Sequence, residues 1–98
     1  MKVRFEDSAL GKLETSTQGQ EKWPAGVVKA FRRRMQFIRA MPDERDLRAA
    51  KANHYEKMQG DREGQHSVRL NDQFRLVFRF EEDYADKILV VIEIVDPH

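Results

Sequence analysis

Four arginines, Arg62, Arg69, Arg75 and Arg79, fall within eighteen residues, just after a segment carrying His54, Glu56 and Lys57, and the chain closes on Asp96-Pro97-His98. Cations beside acids and a histidine suit phosphodiester cleavage without a metal. A base takes the 2′-hydroxyl proton, arginines stabilise the phosphorane, and an acid protonates the leaving oxygen. Histidine titrates nearest neutrality and fits either proton-transfer role. Other chemistries lack their residues. There is no cysteine, and His54, His66 and His98 show no metal-ligand spacing. Gly60 and Gly64 lack the lysine and the strand-to-helix context of a phosphate loop, and no serine stands in a nucleophile elbow.

Positioning those side chains falls to the stretch from Gln59 to Phe80. A three-residue loop of Asn71, Asp72 and Gln73 sets Leu70 against Phe74, Val68 against Leu76 and His66 against Phe78, which gives one apolar face. The opposite face then carries Ser67, Arg69, Arg75 and Arg79, with Arg69 directly across from Arg75. Two like charges so placed are unfavourable unless an acid or a polyanion lies between them. After a turn over residues 81–87, the β-prone segment Ile88 to Val95 is expected to pair Phe80 with Ile88 and Leu76 with Ile92. That register puts Glu93 opposite Arg75, either as an ordinary cross-strand ion pair or as a group that tunes a catalytic arginine.

The remainder supplies helices. Lys2 to Phe5 alternates like an edge strand, and Asp7 or Ser8 can cap a helix carrying Leu10 and Leu13. A polar run, Thr15 to Lys22, reads as a loop. Pro24 suits the first turn of a second helix, with Val27, Phe31, Met35 and Ile38 as its buried stripe and Pro42 as its stop. Arg32 to Arg34 read as its wet face. Asp43 is placed to cap a short third helix through Leu47 and Ala50, and Tyr55 to Met58 to enter the sheet. The predicted class is α+β, a mostly antiparallel sheet with two to three N-terminal helices on one face.

Ninety-eight residues bound the chain to one domain with a single modest core. No early apolar run resembles a signal peptide or membrane span, so a cytoplasmic location is expected. The net charge of +1 argues against general affinity for nucleic acid, yet its distribution is uneven: residues 22–39 hold six basic residues and no acid.

The run Gly60-Asp61-Arg62-Glu63-Gly64-Gln65-His66-Ser67-Val68-Arg69-Leu70-Asn71-Asp72-Gln73-Phe74-Arg75 closely resembles the signature of HigB toxins, of the RelE superfamily. Leu47, Arg48, Asn53 and Glu56, and the terminal Asp96-Pro97-His98, extend the resemblance. It implies a RelE-like fold and a ribosome-dependent mRNA endonuclease, with no cofactor, neutralised by a HigA-like helix-turn-helix antitoxin. DNA would be met only through that antitoxin. It also implies Arg75 as phosphate-stabilising arginine, Asp96 and His98 as C-terminal catalytic acid and histidine, and Glu56 where relatives carry a catalytic histidine or acid. Arg62, Arg69, His54, Lys57 and Arg79 are then the expected RNA contacts. Pro97 stands where the family has tyrosine, Gln59 where lysine is frequent, and Ala50-Lys51-Ala52 where Pro-Pro-Gly is, which predicts a longer third helix. A non-catalytic protein of the same fold, binding gyrase or only an antitoxin, is the alternative.

Overall fold

The computed structural model describes residues 1–97. Five strands form one sheet in the order β1-β5-β4-β3-β2. They are β1 (Lys2–Phe5), β2 (Glu56–Lys57), β3 (His66–Arg69), β4 (Arg75–Asp83) and β5 (Asp86–Val95). All neighbours are antiparallel except β1 and β5, which run parallel. Between β1 and β2 the chain forms α1 (Ser8–Thr15), α2 (Val27–Ala40) and α3 (Glu44–Ala49).

Local chemistry accounts for the helix limits. The Asp7 carboxylate accepts from Ala9 N at 2.9 Å and starts α1. Asp43 and Asp46 form a reciprocal capping box at the start of α3. Two expectations fail. Pro24 lies ahead of α2 instead of inside its first turn: its carbonyl accepts from Val27 N at 3.2 Å, and Gly26, at φ 87°, is the N-cap. The third helix does not extend through Ala50-Lys51-Ala52 but gives way after Ala49 to a 3₁₀ turn, Lys51–Asn53. There the Asn53 amide donates to Leu47 O at 2.9 Å, occupying the carbonyl that a continuing helix would offer to Lys51 N–H. The polar run before Trp23 also holds a 3₁₀ turn, Gln20–Lys22.

All three helices pack on one face of the sheet. Leu10 and Leu13 of α1, Phe31, Met35 and Ile38 of α2 and Leu47 of α3 are buried with Val68, Leu76, Phe78, Leu89, Val91 and Ile94 of the sheet. Burial of such side chains contributes roughly 1.5–3 kcal/mol each and is the main source of stability. Among the α2 arginines, Arg32 turns to the end of α1, with Nε donating to Leu13 O at 3.1 Å, a cation at a helix C-terminus. Arg34 does not belong to a wet face either: it points inward and donates to Asn53 Oδ1.

The β3–β4 hairpin has the expected register, with His66 opposite Phe78, Val68 opposite Leu76 and Arg69 opposite Arg75. Its loop is tied by Asn71 Oδ1, which accepts from Gln73 N at 2.9 Å and Phe74 N at 2.8 Å. The β4–β5 register differs from expectation. The strands extend to Asp83 and Asp86, joined through Tyr84 at φ 54° and Ala85, so Phe80 pairs with Leu89 and Leu76 with Ile94. A shift between Val77 and Phe78 then puts Glu93 opposite Val77, and Val95 opposite Arg75. Residues 88–92 are apolar throughout, so alternation could not choose their face. The parallel neighbour chooses it: Val3 and Phe5, packed on the core, lie opposite Leu89 and Val91. The bulge reverses the phase, so Ile94 and not Glu93 enters the core.

His66 closes the apolar face near β2. Its ring stacks between Tyr55 and Phe78, with centroids 5.6 Å away on each side, and its Nδ1 meets the Tyr55 hydroxyl. Burial, with the nearby Arg48 charge, lowers its pKa. The unfolded chain therefore binds the His66 proton first as pH falls. Stability from the neutral ring is present above about pH 6.5 and is lost as pH drops toward the lower folded value. Urea denaturation should show a falling midpoint across that window in the wild type and a flatter profile in His66→Gln.

Candidate functional site

On the sheet face opposite the helices, Arg69 and Arg75 lie directly across from each other. Each is drawn aside by different partners. Arg69 bonds within the hairpin, Nε to Asn71 O at 3.2 Å and Nη2 to Asp72. Arg75 turns toward β2, with Nε donating to the buried Ser67 hydroxyl at 2.9 Å and Nη2 to His54 O. Among the described residues only Arg69 of the two has a carboxylate partner, so the Arg75 charge is the one left without an acid.

His54 joins the two arginines. Its backbone is left-handed, at φ 45° and ψ 52°, which is unusual for a residue with a side chain. In that conformation its carbonyl meets Arg75 while its ring Nε2 lies 3.5 Å from Arg69 Nη1. Glu56 pairs with Ser67 across β2 and β3 and so stands on the same face. His54, Glu56, Arg69, Asn71, Asp72, Gln73, Arg75 and Pro97 line one open cleft of about 510 Å³. The C-terminal segment is held at its rim, where Gln73 Nε2 donates to Asp96 Oδ2 at 3.0 Å.

The cleft thus gathers Arg75, Arg69, His54 and Glu56, with Asp96 beside it. Three other expected contacts lie elsewhere. Arg79 is paired with Glu6 and Glu81, the latter also bound by Arg4. Arg62 donates to Gln65 Oε1 at 2.9 Å and to Glu93. Glu93 therefore compensates Arg62 and not Arg75, because the bulge carries it out of the Arg75 row. Lys57 lies opposite His66, on the helix-facing side, and borders a separate depression with Gly60 and Gln65. His98 falls outside the described residues. Among the described residues, no three His, Cys, Asp or Glu side chains converge as a metal site.

Sequence reading missed Arg34 and, as a ligand of Arg75, Ser67. Arg34 could have been found: helical spacing puts it beside Phe31, Met35 and Ile38 on the buried stripe. Its Nε is buried without a hydrogen-bond partner, and its pKa is lowered by burial and by the Arg69 charge. It remains a cation at neutral pH, so a third positive charge stands behind the cleft.

This arrangement can hold a phosphate between two arginines, with a carboxylate and an imidazole beside it. Toxin HigB-1 of Vibrio cholerae serotype O1 is 28% identical over 98 residues, spanning 100% of this chain and 98% of that protein. Among solved structures, a YoeB/ParE toxin from Agrobacterium tumefaciens superposes with a TM-score of 0.63 at 21% identity, covering 100% of both chains. The YoeB toxin in the heterotetrameric YoeB-YefM complex from Staphylococcus aureus gives 0.59 at 18% identity, covering 100% of this chain and 97% of that one. The family model described as "RelE-like toxin of type II toxin-antitoxin system HigB" matches residues 3–98, and the chain belongs to that HigB-like toxin family.

Proposed function

We propose that this toxin is a metal-independent endoribonuclease that cuts mRNA at codons presented in the A site of the small ribosomal subunit. The observation that carries the reading is the cleft in which Arg69, Arg75, His54 and Glu56 converge. Arg75 stabilises the phosphorane, since its Nη2 reaches the cleft beside His54 while Ser67 fixes its Nε. Glu56, Asp96 and His98 share the proton transfers, one group accepting from the 2′-hydroxyl and another donating to the 5′-oxygen. Arg69 and His54 hold the adjacent backbone. Lys57, Arg62 and Arg79 are further RNA contacts outside the cleft, Arg62 and Arg79 through guanidinium groups that also pair with Glu93 and with Glu6 and Glu81.

One observation favours a second reading. Pro97, at the cleft margin, occupies the place where the family pattern has tyrosine. Loss of that side chain would suit a toxin that acts by binding, on gyrase or on its antitoxin alone. Induced without an antitoxin, the ribonuclease should arrest growth, and primer extension should show new 5′ ends inside translated codons. Arrest with intact transcripts and supercoiling-deficient DNA would favour the gyrase reading.

A HigA-like helix-turn-helix antitoxin is the proposed neutralising partner, and DNA is reached through it. The S. aureus YoeB is seen with YefM, which supports an antitoxin for this relative of the same fold. The outer face of α2 suits an acidic partner, because Lys29 and Arg33 are not paired with a carboxylate among the described residues. Arg32 is unsuitable for testing this, since it caps α1. Reversing charge at Lys29 and Arg33 should slow association with the antitoxin and weaken its salt dependence; unchanged kinetics would exclude this face.

The cleavage reading is tested most directly at Arg75. Arg75→Ala should lower cleavage by on the order of a hundredfold or more. Circular dichroism should remain that of the folded chain, because Arg75 lies outside the apolar core. Full activity in a folded Arg75→Ala variant would assign Arg75 a structural role.

A further inference from the structure

Asn53 is completely buried and gripped on both sides. Its Nδ2 donates to Leu47 O at 2.9 Å, at the end of α3, and its Oδ1 accepts from Arg34 Nη1, which comes from α2. The next residue is His54, held at φ 45° and ψ 52°. A non-glycine residue persists in that conformation only where its surroundings over-determine it. The grip on Asn53, together with His54 N donating to Lys51 O at 3.1 Å, supplies that restraint. The kink in turn turns the His54 carbonyl toward Arg75 Nη2 and the His54 ring toward Arg69. Arg34 meanwhile keeps a buried, unpartnered Nε and stands close enough to Arg69 to feel its charge. A cation in so unfavourable a place is unexplained by packing alone. Natural structures keep local conflicts of this kind mostly at functional sites.

We propose that the half-buried Arg34 and the buried Asn53 form a positioning pair that sets the His54 kink and thereby aims the Arg75 guanidinium across the cleft. The pair acts through His54 and touches no substrate. Its effect on rate rests on the ribonuclease reading above; its effect on Arg75 does not. Asn53→Ala releases both grips, and Arg34→Met removes one of them. Arg34→Lys keeps a cation able to donate to Asn53 Oδ1.

The test uses the full chain and two readouts. In ribosome-dependent cleavage, Asn53→Ala and Arg34→Met should lower kcat about tenfold or more while KM stays within about twofold, the pattern of a misaligned transition-state group. In ¹⁵N NMR, the Arg75 Nε–H resonance, assigned by its disappearance in Arg75→Lys, should shift and exchange faster in both variants. Arg34→Lys should restore the resonance and most of kcat. If Asn53→Ala does not fold, Asn53→Asp, which keeps the acceptor for Arg34 and loses the donor to Leu47 O, should show the same displacement. Variants that unfold at lower denaturant but keep kcat and the Arg75 resonance would make the pair merely structural and overturn the proposal. A rise in KM alone would overturn it as well. If the wild-type toxin cleaves no RNA, the ribonuclease reading fails while the NMR readout still decides whether the pair positions Arg75.

Discussion

The facing of Arg69 and Arg75 across β3 and β4 is the constraint around which this sheet face is arranged. Two guanidinium groups opposite each other repel, and among the described residues they share no acid. Arg69 is drawn into the hairpin by Asp72 and the Asn71 carbonyl, and Arg75 toward β2 by Ser67 and the His54 carbonyl. Neutral oxygens orient Arg75 and leave its charge largely intact. Both arginines line the cleft, together with Glu56, His54, Gln73 and Pro97.

Elsewhere on the same face charge is handled differently. Arg4, Arg79, Glu6 and Glu81 form a connected set near β1, and Arg62 is matched by Glu93. Such solvent-screened pairs contribute little stability each. Their consequence is spatial: Arg79 and Arg62 are matched by acids away from the cleft, whereas Arg75 is held within it by neutral oxygens, and a phosphate would meet that guanidinium beside the Arg69–Asp72 pair.

Beneath the cleft lies the polar end of an otherwise apolar core. Arg34 and Asn53 enter from the helical layer, and His66 stacks among Tyr55, Phe78 and Phe80 nearby. Polar groups buried in this way demand defined partners, which fixes geometry more tightly than apolar packing does. The left-handed residue His54 sits where the helical layer hands the chain to β2. The helices thus contribute to the cleft through the backbone they anchor.

Local pattern was enough for the helices' buried stripes, the caps at Asp7 and Asp43, and the β3–β4 register, because each depends on neighbours close in the chain. The facing arginines follow from that register alone, and the sixteen-residue run from Gly60 to Arg75 carried the family. The grouping of His54 and Glu56 with them was expected only through the family resemblance and not from local pattern, since the geometry depends on a two-residue strand and a left-handed turn. Nor was the partner of Glu93, because the apolar run 88–92 fits either face of the sheet. Its phase is imposed by β1, a strand more than eighty residues earlier in sequence, and then reversed by a bulge. Short-range periodicity and turn chemistry are written in adjacent residues. Which face a uniformly apolar strand presents, and which acid meets which arginine, is settled by long-range pairing and by competition for burial, both of which exist only once the chain has folded.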